Sequence, residues 1–173
     1  MKFLTLLLFF SSVFAQGGQD HSPKIETKDG KPVSLDFGIP LKGISDPSLS
    51  LSQFAKEDLV IFYFSAKCPH CMRAYPQLQK IYERFASQGL KMIAIASGYN
   101  KRQDIHTFIA NQKVQVPVLQ DKSKKFGKQY GVGSVPLVII SNAKGEFIKY
   151  KHFDHQKPSI QQELENRFGM IFK

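Results

Sequence analysis

No tryptophan occurs anywhere in the 173 residues, cysteine occurs only twice, and acidic side chains number 14 against 24 lysines and arginines. The two cysteines, Cys68 and Cys71, stand three positions apart, too close for an effective staple, because a disulfide stabilises more when it closes a long loop. A structural zinc site takes four nitrogen or sulfur ligands, usually from two such pairs, and there is no second pair. Nor is there an apolar run of the 18 or more residues that a membrane-spanning helix needs, which argues against stable membrane insertion. The shortage of acids leaves a formal charge of +10. Its lysines are scattered apart from one cluster at Lys122, Lys124, Lys125 and Lys128, without the basic stripe and stacking aromatics of a nucleic-acid module. A solvated basic face that biases encounters toward acidic partners is the simpler reading, and no nucleic-acid partner is expected.

The N-terminus reads as a secretory signal over residues 1–15. Lys2 gives a positive start, residues 3–10 are apolar except for Thr5, and Val13-Phe14-Ala15 resembles a small-residue cleavage site. Cleavage there places the mature chain outside the cytosol, in a periplasmic or other extracytoplasmic compartment of a bacterial kind, where disulfides persist. The remaining chain, about 158 residues with most of the 15 phenylalanines, suffices for one domain with a real core and is too short for two ordinary ones. Residues 16–33 are polar and rich in Gly, Lys and Asp, a flexible arm or edge hairpin. Residues 34–173 form the domain.

Within the domain, apolar strands alternate with helical patterns. Residues 59–65 form a continuous apolar run suited to a strand buried on both faces. Residues 71–88 place Leu78, Ile81, Tyr82 and Phe85 at helical spacing, with Gly89 as a stop. Residues 90–96 make a second core strand, Ile105, Phe108 and Ile109 mark a second helix, and residues 117–119 are extended. A short helical segment at 126–130 precedes a strand at 135–141 that turns into 146–151, and a closing helix is expected at 158–168. Residues 35–47 carry Gly38, Pro40, Gly43 and Pro47 and read as a loop-rich lead-in, and residues 50–54 as a short helical turn. The pattern implies an α/β domain with a mixed sheet flanked by helices on both faces.

Cys68-Pro69-His70-Cys71 lies where the first core strand gives way to the first helix. A cysteine at a helix N-terminus meets backbone N–H groups and the positive end of the macrodipole, which favour the nucleophilic thiolate. Pro76 falls inside the same helix, where a proline removes a backbone bond and kinks the axis. Pro136 opens a core strand, where proline normally costs a ladder bond. That placement makes sense if Val135–Pro136 is cis and its turn presses against the cysteines.

With the dithiol, the kinking proline and the strand-start proline in this order, residues 34–168 resemble the thioredoxin superfamily, in particular its exported TlpA/ResA-like thiol-disulfide oxidoreductases. Residues 50–54, 116–121 and 130–136 support the resemblance. It implies a thioredoxin-like fold in which Cys68 is the exposed nucleophile and Cys71 the buried resolving thiol. Pro136 would face the disulfide, and the Val135 backbone would pair with an extended substrate segment. Cysteine-containing exported proteins would be the substrates and a membrane redox partner would recycle the dithiol, with neither cofactor nor metal. Two departures stand out. Lys67 occupies the position where the family commonly has tryptophan, placing a cation near Cys68. Phe62 stands where thioredoxin carries a buried acid.

The direction of electron flow is pulled both ways. Pro69-His70 between the cysteines, and Val135 before the proline, are what the strongly oxidising DsbA proteins carry. Thiolate stabilisation by the helix, His70 and Lys67 would favour the reduced form and make the disulfide an oxidant. Only residues 72–135 separate Cys71 from Pro136, leaving no room for the helical domain that DsbA-like proteins insert there, and many TlpA-like domains of this size are reductants, for example in cytochrome c maturation. The reading leans toward the oxidant. A copper chaperone is the main non-catalytic alternative, with His152 or His155 as distal ligand, but such proteins use a three-residue gap between their cysteines. A redox-inactive binding module and an isomerase with a dimerisation arm fit less well. His21, His106, His152 and His155 are otherwise read as surface residues.

Overall fold

The computed structural model describes residues 27–28, 31–130, 133, 135–151 and 166. The signal segment, most of the arm, His21, His152, His155 and nearly all of the expected closing helix at 158–168 lie outside these residues. The central element is β4 (Leu59–Phe64), whose six side chains are all buried. It pairs in parallel with β5 (Lys91–Ser97), which pairs in parallel with β6 (Val118–Asp121). On its other side β4 meets β7 (Leu137–Ser141) antiparallel, and β7 continues antiparallel to β8 (Phe147–Lys151). A two-residue strand, β3 (Lys42–Gly43), runs antiparallel to β6 and completes the order β3-β6-β5-β4-β7-β8. A separate two-strand ribbon pairs β1 (Thr27–Lys28) with β2 (Lys31–Pro32) inside the expected arm.

Strand β3 falls where the sequence reads as a loop. Two residues cannot display a periodicity of two, and the neighbouring prolines and glycines hide the segment. Gly43 is needed at this point, because a Cβ there would run into the Asp46 carbonyl.

Among the described residues three α-helices cover the sheet: α1 (Pro69–Ala86), α2 (Arg102–Gln112) and α3 (Lys125–Gln129). Helix α1 begins two residues earlier than the apolar pattern suggests, because Pro69 occupies its first turn, where a missing N–H costs nothing. It terminates before Gly89, which takes a φ of 103° that L side chains avoid. Its buried stripe also differs from expectation. Cys71, Ala74, Tyr75, Leu78 and Ile81 face the sheet, whereas Tyr82 and Phe85 are only partly buried at its margin. Small alanine and a cysteine inside the stripe carry little hydropathic contrast, which explains why it is hard to read.

Because successive side chains of a strand alternate, β4 divides the core in two. Val60, Phe62 and Phe64 point to the face covered by α1 and α2, joining Cys71, Tyr75 and Phe108. Leu59, Ile61 and Tyr63 point to the other face, joining Phe126 and Tyr130 from the α3 segment and Phe147 from β8. Both thiols belong with the first cluster, Cys71 within it and Cys68 packed against it.

Candidate active site

The C-terminal ends of parallel strands are where open α/β sheets place their ligands, and here the end of β4 leads into Cys68. The turn is held rather than loose. Asn100, just beyond β5, accepts the Ala66 N–H at 2.8 Å through Oδ1 and donates to the Ser97 carbonyl at 2.8 Å. The buried Gln120 of β6 donates to the Asn100 carbonyl at 2.9 Å. The Cys68 N–H then reaches the Ser65 carbonyl at 3.1 Å, and the Met72 N–H reaches the Cys68 carbonyl at 3.1 Å, which starts the helix. Cys68 is thus the N-cap residue of an 18-residue helix, with its sulfur at the positive end of the macrodipole.

Both cysteines are free thiols, and they differ in setting. Cys71 is fully buried in the aromatic cluster, and burial pushes its thiol well above the ordinary value, with the Cys68 sulfur beside it adding to the effect. Cys68 is half-buried rather than freely exposed, because it packs against that same cluster. Its thiol donates to the Val135 carbonyl at 3.7 Å. The Val135–Pro136 peptide is cis, with Pro136 buried and Val135 half-buried, so the two ends of the site meet across a gap of one hydrogen bond. The geometry therefore brings Cys68, Cys71, Val135 and Pro136 together. Pro69 and His70 sit exposed in the first turn of α1.

One expectation about nearby charge needs correction. The Lys67 ammonium does not stand free beside Cys68, because it pairs with Asp104 of α2 at 3.1 Å. The carboxylate offsets the charge that a free ammonium would present. His70, for its part, has Arg73 one turn along, whose Nη2 lies 3.2 Å from Nδ1. A guanidinium can only donate, so Nδ1 is the acceptor in this contact. The sequence reading missed this Arg73 contact; its position three residues after His70 on a helix is the signal that would have found it. Asp104 and Asn100 were missed for a different reason, since they reach the site from another element.

Phe62, at the position of the acid in thioredoxin, is fully buried and packs on Phe64 and Tyr75 with ring centroids 5.6 and 5.7 Å apart. The thiol side of the sheet is therefore dry at this point. A buried acid does exist on the opposite face. Asp121 accepts the Gly127 N–H at 2.9 Å, the Phe126 and Ser123 donors at 3.4 Å and the Tyr63 hydroxyl at 3.3 Å. Burial, reinforced by that carboxylate, pushes the Tyr63 phenol up to about 12. Among the described residues, no three His, Cys, Asp or Glu side chains gather in a way that would hold a metal ion. No described helix is long and apolar enough to cross a membrane.

Comparison with known proteins agrees with this geometry. The model of the AhpC/TSA family matches residues 20–150. Thiol-disulfide oxidoreductase ResA of Halalkalibacterium halodurans is 24% identical over 125 residues, 72% of this chain and 70% of that protein. Sporulation thiol-disulfide oxidoreductase A of Bacillus subtilis is 25% identical over 118 residues, 67% of this chain and 64% of that protein. Among solved structures, a secreted Mycobacterium tuberculosis disulfide oxidoreductase described as homologous to E. coli DsbE superposes with a TM-score of 0.64 at 16% identity, covering 75% of this chain and 93% of the other. The fold is thioredoxin-like.

Proposed function

The chain belongs to the AhpC/TSA family and is an oxidoreductase of the thiol-disulfide class, and on that premise we propose that it exchanges disulfides with exported proteins through Cys68 and Cys71, leaning toward oxidation. The observation that carries this reading is the unequal burial of two thiols in one helical turn, one opening beside Val135 and one sealed in the core. In the oxidising direction a substrate thiolate attacks the Cys68 sulfur of the disulfide. The sulfur–sulfur bond breaks, Cys71 leaves with the electron pair and takes up a proton, and substrate and Cys68 are joined. A second substrate thiol, giving up its proton, attacks the substrate sulfur of that mixed disulfide and releases Cys68 as thiolate. Two electrons have passed from the substrate dithiol to the chain. The Val135 backbone, next to the sulfur, is the natural partner for an extended substrate segment.

The lean toward oxidation rests on Pro69-His70 between the cysteines and on the helix end under Cys68. Favouring the reduced dithiol makes the disulfide a stronger oxidant. The compact β5-α2-β6-α3 connection, without an inserted helical domain, favours the reductant reading of the relatives called ResA. Location outside the cytosol follows from the signal over residues 1–15, and a membrane redox partner would then recycle the dithiol. The reduction potential against glutathione decides the direction. An oxidant lies near −120 mV and a reductant nearer −270 mV, on the order of the values for DsbA and thioredoxin. Replacing His70 should lower an oxidising potential by roughly tens of millivolts; an unchanged value would remove the support for the oxidant lean.

A further inference from the structure

An open cavity of about 310 Å³ lies beside the reactive sulfur, on the face of the sheet away from Cys71. It shares Val135 with the active site, since the carbonyl of that residue accepts the Cys68 thiol. Its walls are the strand ends, Ser65 after β4 and Ser97 closing β5, together with Tyr99 and the α3 segment. Two lysines of the cluster that the sequence leaves without a role, Lys124 and Lys128, line it. None of its described lining residues is acidic. The carboxylate bonded to two lining residues, Asp121, is fully buried behind Tyr63 and Gly127, with its oxygens taken by four donors.

The cavity is shaped by specific close approaches. A Cβ at Gly98 would collide with the Asp121 carbonyl, so glycine is what lets the β5–α2 and β6–α3 turns meet. That meeting brings the Lys124 ammonium to 3.8 Å from the centroid of the Tyr99 ring, although Tyr99 is itself 81% exposed. At the floor, a Cβ on Gly127 would sit 2.6 Å from the Tyr63 hydroxyl, so any larger residue would begin to fill the space. Among the described residues neither Lys124 nor Lys128 has an ion-pair partner.

We propose that this cavity is a specificity subsite that receives an acidic side chain, aspartate or glutamate, of the protein substrate, close in sequence to its reactive cysteine. The inference rests on the oxidoreductase reading and adds the substrate class. Charge complementarity identifies the occupant: two cations with no ion-pair partner among the described residues, serine hydroxyls and aliphatic lysine stems suit a carboxylate on a short methylene stem and disfavour a basic side chain. Reach is adequate. Successive residues of an extended segment on the Val135 backbone are about 3.3 Å apart and alternate in direction, so a residue next to the cysteine turns away from the sulfur toward a cavity whose wall is Val135 itself.

The test is the second-order rate of exchange between the oxidised full-length chain and dithiol peptides that differ only in carrying Glu, Ala or Lys beside the reactive cysteine. At low salt the Glu peptide should react about fivefold faster than the Ala peptide and the Lys peptide slowest, as expected for two partly exposed ion pairs. High salt should compress the order. The double variant Lys124→Glu, Lys128→Glu should invert it, and Lys124→Gln, Lys128→Gln should flatten it. Lys80→Glu, Lys91→Glu, an equal change of net charge at exposed positions off the cavity, should preserve it. Equal rates for the three peptides, or an order unaffected by the cavity variants, would overturn the subsite alone. Absence of exchange with every peptide would overturn the oxidoreductase reading and the subsite with it.

Discussion

The two faces of the sheet are built on opposite principles. On the α1/α2 face, Phe62, Phe64, Tyr75 and Phe108 form a continuous ring cluster, with Phe64 and Phe108 centroids 4.4 Å apart, and Cys71 is sealed inside it. On the α3 face, Tyr63 stacks on Phe126 at 5.6 Å, but its hydroxyl leads to a buried aspartate and, beyond it, to a cavity rimmed by lysines. The first arrangement keeps a thiol protonated and hidden. The second holds a backbone turn and offers polar groups to a visitor. Cys68 stands at the boundary, packed on the dry cluster and bonded to Val135, which touches both clusters. The difference teaches that one sheet separates a sealed thiol on one face from an open, polar-lined cavity on the other.

Cutting into the dry side should do the most damage. Phe64→Ala removes a fully buried ring that stacks on two others and should cost about 3–5 kcal/mol in urea unfolding. A loss below about 1 kcal/mol would mean that the cluster is not the cohesive unit described.

Much of this comparison was legible beforehand. The apolar runs of β4, β5 and β7 announce themselves because nothing polar interrupts them, and the cysteine pair with Pro136 places the site. Which face each residue would occupy was not legible, because a strand buried on both sides shows no alternation of polarity. The pairing of Lys67 with Asp104 and of Ala66 with Asn100 was hidden for a similar reason. Each joins the β4–α1 turn to a segment 30 or more residues away, and no local spacing encodes such a contact.

On the other side, Asp121→Ala should be milder. It orphans the Tyr63 hydroxyl and the Gly127 N–H, at about 1–3 kcal/mol, with partial rescue by Asn, which keeps acceptors on one oxygen. Equal destabilisation by Ala and Asn would contradict the hydrogen-bond account of that turn.

The smallest effect is set by pH. Cys71 is raised in the folded chain, so the native state holds its proton where the unfolded chain, with a thiol near 9, releases it. Stability of the reduced protein is fully present below that value and declines as pH rises past it. By pH 10 the loss should reach about 1 kcal/mol relative to Cys71→Ala measured in parallel. Tyr63 and Tyr75, both pushed up to about 12 by burial, extend the decline from pH 10 upward. Parallel pH curves for the two proteins would show that Cys71 is less isolated than its surroundings imply.

The most direct test of the division of labour between the thiols is covalent trapping. With Cys71→Ala, a substrate joined to Cys68 has no resolving thiol within the chain, so mixed disulfides should accumulate and be visible on non-reducing gels and by mass. With Cys68→Ala, the remaining thiol is sealed in the aromatic cluster and should trap nothing. Trapping by the second variant and not by the first would contradict the account.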